Sequence, residues 1–451
     1  MNLRNDLVTQ MRDSMHSTDS NEMKKKVRYT SLHTNLFILF SFCFLLYMPK
    51  FNIPSTLFDI LSYGIPMIYL LVNIKVLKKL SNKQSFFLLC IALLLFMSCL
   101  FPLINKTNDF SYFKVHLDSC KILLSYVALL CLIIKKHGDR MSLYYFMYYY
   151  ILTHVIYVLV TIIMVCFPSL QDMWFTLVHK DALIGIRDEY LFRVGWQGFA
   201  GFRLTLHCTF SVIFALYLRY RVRPCVIRTG QFWLSFAGCL MGNMFYGRSG
   251  LVVTIVVSIL AILIWNRQNI IKILKFACLA AGIILFMTSL KDVPLLGEWY
   301  DWMSRPIVNM MSSGEFGDSS FETLKEMNQI EIPPESFLFG DGRYTEDGHY
   351  YMGTDAGFIR NVFFWGIFGA VISYGITLCG ILEVRKASKL LVVQLLIVFF
   401  SFEYKGAVYY EFIAITFAID LALCISRLKP SQIEERRAEQ SSTLVLDYCD
   451  G

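Results

Sequence analysis

Charge is what this 451-residue sequence has least of: 17% of its residues are Asp, Glu, Lys or Arg, where soluble globular chains carry about a quarter. With 56% hydrophobic residues and a mean hydropathy of +0.52, that shortage excludes a soluble domain. It also leaves no place for nucleic acid as a partner. No Cys-x-x-Cys pair occurs among the 13 cysteines; they lie mostly inside apolar runs and read as small hydrophobes, not as staples or metal ligands. No Asp-x-Asp, His-x-x-x-His or carboxylate cluster lies outside the apolar runs, so neither metal nor cofactor is expected. Asp341, Glu346 and Asp347 share a Gly-rich loop, where such acids more often form turns. No internal repeat or inverted half is evident. No cleavable leader is evident either, because Met1 to Thr30 is polar and carries Lys24, Lys25, Lys26 and Arg28.

What is present is a series of apolar segments, at about 32–48, 57–74, 85–104, 117–134, 141–167, 204–220, 230–246, 251–265, 274–290, 356–382, 389–402 and 407–426. A transmembrane helix takes about 20 apolar residues. The expected fold class is therefore an all-α polytopic membrane protein with about 12 transmembrane helices. A cytoplasmic tail at 1–30 precedes a transmembrane domain at 31–426, and a cytoplasmic tail at 427–451 follows. Most of the 42 Lys and Arg fall in the tails and in alternate short loops, which places both termini inside. Two outer loops are long, about 168–203 and about 291–355, and loops of that length are more often functional than connective. Within the second, Leu295 to Met311 reads as an amphipathic helix that brings Trp299 and Trp302 to the membrane interface.

The outer loops hold Arg187, Arg193 and Arg203 in the first, Arg248 at the mouth between two spans, and Arg343 and Arg360 at the end of the second. Each alone is as well explained by snorkelling to headgroups or by pairing with a local acid. Together they offer planar, permanently charged donor forks that match phosphate oxygens, so Arg187, Arg193, Arg203 and Arg248 are candidate diphosphate ligands. Arg360 lies about two turns into a helix counted from an expected N-cap at Thr354, near or below the interface. Asp355 suits the first turn of that helix, and it is also a candidate general base for a sugar hydroxyl. His349, the only histidine of the long second loop, competes for that role. Asp420 is the one deep acid of the last hairpin, a feature that points to ion coupling. Outer-loop aromatics such as Tyr344, Tyr350 and Tyr351 read equally as interfacial anchors or as platforms for sugar rings.

The stretches Arg193-Val-Gly-Trp-Gln-Gly-Phe-Ala-Gly-Phe-Arg203, Tyr246-Gly-Arg-Ser-Gly250, Gly353-Thr-Asp-Ala-Gly-Phe-Ile-Arg360 and Trp365-Gly-Ile-Phe-Gly369, set in about twelve spans with two enlarged outer loops, resemble the O-antigen polymerase family. O-antigen ligases share the general plan. Family members carry an arginine, ten residues and a glycine in each large loop; Arg187 and Gly198 have that spacing, whereas Gly353 follows Arg343 one residue too early. The resemblance implies a membrane glycosyltransferase fold in the bacterial inner membrane, with a periplasmic active site. The implied reaction transfers a polyprenyl-diphosphate-linked glycan chain onto an incoming lipid-linked repeat unit, in lipopolysaccharide or polysaccharide biosynthesis. Asp355, His349, Arg343 and Arg360 would be catalytic. Partners would be the lipid-linked oligosaccharides as donor and acceptor, membrane lipid, and a chain-length regulator as a candidate. A ligase that moves glycan to lipid A-core and a transporter or flippase of lipid-linked glycan are the alternatives.

Overall fold

The computed structural model describes residues 33–74, 80–183, 192–222, 226–265, 294–313 and 319–427, with isolated positions 278, 282 and 289. Among these the chain is all-α apart from two small hairpins. The long helices are α1 (33–47), α2 (Ser55–Val72), α3 (Asn82–Ile104), α4 (Ser111–His137) and α5 (Ser142–Cys166). The short α6 (Pro168–Phe175) follows, then α7 (Phe202–Tyr220), α8 (Thr229–Tyr246) and α9 (Arg248–Trp265). The second long loop contains α10 (Pro294–Ser313), α11 (Ser319–Met327) and α12 (Pro334–Phe339), and the chain closes with α13 (Gly357–Glu383), α14 (Lys389–Lys405) and α15 (Tyr409–Arg427).

Among the described residues six helices are long and apolar enough to cross a membrane, and α1 and α2 are shorter apolar helices. Every expected apolar segment except 274–290 coincides with a helix; that segment, both tails and Arg187 lie outside the described residues. Helix α7 is buried at every position from Leu204 to Leu218, and α15 is buried over 83% of its apolar window. A helix apolar on all sides belongs in a core, and these two form its centre. Helix α3 has only 22% of its window buried, so most of its apolar surface faces outward.

The segment expected as one span from 356 to 382 is instead folded back on itself. Gly366, at φ 66° and ψ 175°, breaks α13. Beyond the break Asn361 Nδ2 donates to Ser373 Oγ at 3.3 Å, and the Tyr374 hydroxyl donates to the Gly357 carbonyl at 3.3 Å. In a straight helix rising 1.5 Å per residue Gly357 and Tyr374 would be about 25 Å apart. Gly357 to Trp365 is thus a half-helix packed against the segment from Ile367 to Glu383. The break is met by the turn after α12: Asp341 N donates to Phe363 O at 2.6 Å and Gly342 N to Phe364 O at 3.2 Å. Gly340 and Gly366 lie back to back there, and a Cβ on Gly366 would fall 2.3 Å from Leu338 O.

Two further expectations need correction. The half-helix begins at Gly357 with Ala356 as N-cap and no side-chain cap; Thr354 Oγ1 accepts from Ala356 N and donates to Met327 O, both at 3.1 Å. Trp299 and Trp302 do not face a membrane interface: they are 1% and 7% exposed, inserted into the bundle so that Trp299 Nε1 donates to Met244 O at 3.0 Å.

Candidate functional site

Of the predicted arginines among the described residues, two share a neighbourhood and three lie elsewhere. Arg203 opens α7 and Glu411 lies in the first turn of α15; their side chains form an ion pair, with Glu411 1% exposed and half of the Arg203 side chain accessible. Behind them His207 Nε2 lies 3.5 Å from Glu411 Oε2, and the Tyr150 hydroxyl donates to His207 Nδ1 at 2.6 Å when Nε2 carries the proton. Both Glu411 oxygens lack a hydrogen bond.

Arg360 comes from the half-helix and is 6% exposed. Its guanidinium carbon lies 3.7 Å from the ring centroids of both Tyr344 and Tyr350, whose planes stand 66° apart. Two aromatic rings thus crowd the guanidinium, and Nε and Nη2 have no hydrogen-bond partner. The Tyr410 hydroxyl lies within electrostatic reach of both Arg203 and Arg360, so the two guanidiniums share one neighbourhood, a recess near the starts of α7, α13 and α15. Burial pushes the Tyr344 phenol well above its usual pKa, with Arg360 opposing; the ring stays neutral and presents its π face to the cation.

The loop that carries Tyr344 is clamped by Asp109, whose Oδ2 accepts from Tyr344 N at 2.6 Å and Thr345 N at 2.7 Å. Burial pushes the Asp109 carboxyl up, but the Ser111 hydroxyl and the Thr345, Tyr344 and Ser111 amides outweigh it and hold it below its ordinary value. Beyond Tyr344 the chain forms β3 (Thr345–Glu346) and β4 (His349–Tyr350), joined by Asp347 at φ 48° and Gly348 at φ 81°. An Asp-Gly pair with both φ positive matches a tight hairpin turn, so Asp347 is a turn former, and the hairpin is what lays Tyr350 on Arg360.

The other arginines are placed elsewhere. Arg193 Nη2 donates to Tyr246 O at 2.5 Å and Arg248 Nη1 to Trp302 O at 3.0 Å, and both guanidiniums lie over the Trp302 ring, at 5.3 and 4.5 Å. They fasten α10 to the bundle. Arg343 is exposed and pairs with Glu346 at 2.8 Å; it lines a separate surface pocket with Asn105, Glu335 and Asp341. His349 is exposed on β4, away from the buried groups. Asp355 is half-buried and within electrostatic reach of Tyr344. No group of three or more His, Cys, Asp or Glu side chains among the described residues is arranged to hold a metal.

Sequence reading missed Glu411 as the partner of Arg203 and missed a tyrosine–histidine network beneath Arg360. There His116 Nδ1 donates to Tyr112 O at 2.9 Å, which leaves Nε2 to accept from the Tyr409 hydroxyl at 2.6 Å. The Tyr112 hydroxyl lies 2.5 Å from Asn361 Oδ1 and 2.9 Å from that of Tyr409. Glu403, fully buried, accepts from Val408 N, Tyr409 N and the Tyr374 hydroxyl at 2.8 to 2.9 Å, so it caps α15. No family model, curated protein or solved structure matches the chain.

Proposed function

We propose that this chain is a membrane glycosyltransferase that extends a polyprenyl-diphosphate-linked glycan, with the recess between Arg203 and Arg360 as its diphosphate site. The observation that carries the reading is Arg360: a buried guanidinium with Nε and Nη2 unpartnered, which acts on the Tyr410 phenol together with a second, accessible arginine, Arg203. In-plane N–H pairs are the donors that a phosphate oxygen pair accepts, and preorganised donors stabilise the charge that develops on a leaving group.

In the proposed step the acceptor hydroxyl oxygen bonds to the anomeric carbon as the bond from that carbon to the diphosphate oxygen breaks. The diphosphate leaves on its lipid with both electrons, and the hydroxyl proton goes to a carboxylate. Asp355 is the carboxylate we assign to this, since it precedes the half-helix that bears Arg360 and lies near Tyr344. Arg203, with its ion pair to Glu411, and Arg360, with its two rings, are the charges that neutralise the leaving group. The Lys and Arg bias toward the alternate loops supports an outward-facing site, which in the proposed setting is the periplasmic face of a bacterial inner membrane.

The test replaces Arg203 or Arg360 by Ala in the native host and resolves the lipopolysaccharide on a gel. Loss of polymerisation leaves core capped with one repeat unit. Loss of ligation leaves uncapped core and glycan stranded on the carrier, and would move the reading to a ligase. An unchanged ladder in both variants would overturn the site. The broken helix α13 favours a second reading, since transporters bind substrate at discontinuous helices. Purified protein given lipid-linked repeat units separates the two, because a transporter moves them without lengthening the glycan.

A further inference from the structure

At the opposite end of the bundle from the recess, an apolar groove of about 500 Å³ runs between α3 and α13, past Phe86, Phe87, Cys90, Ile372, Gly375 and Cys379. Its floor is open at Gly375, where an added Cβ would meet nothing within 4 Å. Phe86 and Ile372 are 66% and 57% exposed on helices apolar enough to lie in a membrane, so whatever fills the groove is hydrocarbon. From Ile372 to Leu382 the groove follows α13 for about 15 Å at 1.5 Å per residue. That is half of a hydrocarbon core of about 30 Å, or one leaflet.

One end of the groove is ionic. Lys83 pairs with Glu383, and Lys386 bridges Glu383 at 2.6 Å and Asp420 at 2.8 Å. Gln84 Nε2 donates to Asp420 Oδ2 at 3.1 Å, so the acid that pointed to ion coupling is held by a lysine and an amide. Arg385 lines the same mouth and is exposed. Three cations there meet two carboxylates, and the excess is positive.

We propose that this groove binds one anionic phospholipid, with an acyl chain along Gly375 and its phosphate at Lys83 and Arg385. Apolar length for one leaflet, an open floor and a surplus cation at one end fit an amphiphile with a negative head. The site stands apart from the Arg203–Arg360 recess and does not depend on the glycosyltransferase reading. Basic pockets between membrane helices recognise anionic headgroups in this way.

The test reconstitutes the full chain in nanodiscs of equal phosphatidylglycerol and phosphatidylcholine and counts retained lipid by native mass spectrometry. The expected result is one retained phosphatidylglycerol, preferred about fivefold over phosphatidylcholine, from roughly one charge contact at a membrane surface. Gly375→Leu, which fills the floor, should abolish retention, and Cys379→Phe should do the same should the first variant melt early. The pair Lys83→Ala with Arg385→Ala should keep a lipid and lose the headgroup preference. Equal retention by the wild type and both filled variants would overturn the site. Absence of any headgroup preference in the wild type, or displacement of the phospholipid by a polyprenyl phosphate, would overturn it as well.

Discussion

The Tyr374 hydroxyl donates to the carbonyl of Gly357, 17 residues earlier in the same apolar stretch, at 3.3 Å. That contact exists only because the stretch doubles back at Gly366, and the doubling back is what delivers Arg360 to the recess from a direction a continuous span would not allow. The same half-helix places Asn361 against Tyr112. It couples the recess to the tyrosine–histidine network below.

Gly366→Ala should therefore destabilise the fold and the site together. At φ 66° and ψ 175° the backbone occupies a region that is essentially glycine-only, worth about 1–3 kcal/mol of strain for other residues. The added Cβ would also meet Leu338 O at 2.3 Å. A thermal melt in detergent should fall by several degrees. Gly375→Ala, in open space on the same segment, should leave it unchanged or raise it; equal melts for both variants would contradict the fold-back.

The helices were legible because hydropathy marks them wherever lipid or core surrounds a segment. The fold-back was not, since Gly357 to Glu383 is apolar throughout and nothing in its pattern distinguishes one span from a half-helix and a return. The break is written instead in the pairing of Gly340 with Gly366, residues brought together by a separate loop. Arginine chemistry could nominate six of the outer arginines but could not sort them. Whether a guanidinium meets a backbone carbonyl, as at Arg193, or two tyrosine rings, as at Arg360, is decided by tertiary contacts.

That sorting predicts that Arg193 and Arg248 act on stability. Trp302→Ala should lower stability by about 3–5 kcal/mol, the usual loss for truncating a buried tryptophan, and free α10 to proteolysis. Arg248→Lys retains the charge and should cost about 1 kcal/mol of cation–π contact while leaving glycan transfer near the wild-type rate. Abolished transfer at an unchanged melt would instead make Arg248 a substrate ligand.

The Asp109 clamp predicts a sign for pH. Its folded pKa is held below the ordinary value, so its contribution is present above the unfolded pKa of about 3.9 and is lost as pH falls through the folded pKa. Exchange of the Tyr344 and Thr345 amides should show no added opening between pH 5 and 8, once intrinsic rates are removed. Asp109→Asn should raise it about tenfold, the size of one lost hydrogen bond, and make that increase independent of pH. An Asn variant as protected as the wild type would mean that the loop is held by other contacts.

The Arg203–Glu411 pair separates a structural role from a functional one. Arg203→Ala leaves a carboxylate that is 1% exposed without its counter-ion; breaking a fully buried pair from one side costs about 3–5 kcal/mol, and the half-accessible arginine brings the expected cost below that. The single variant should therefore melt early and lose transfer, which by itself says little about diphosphate. Adding Glu411→Gln removes the stranded charge, so the double variant should recover most of the melt. Transfer should stay lost, because the proposed diphosphate site then lacks its second guanidinium. Recovery of both stability and transfer would mean that Arg203 serves only to neutralise Glu411, and the diphosphate site would have to be sought at Arg360 without it.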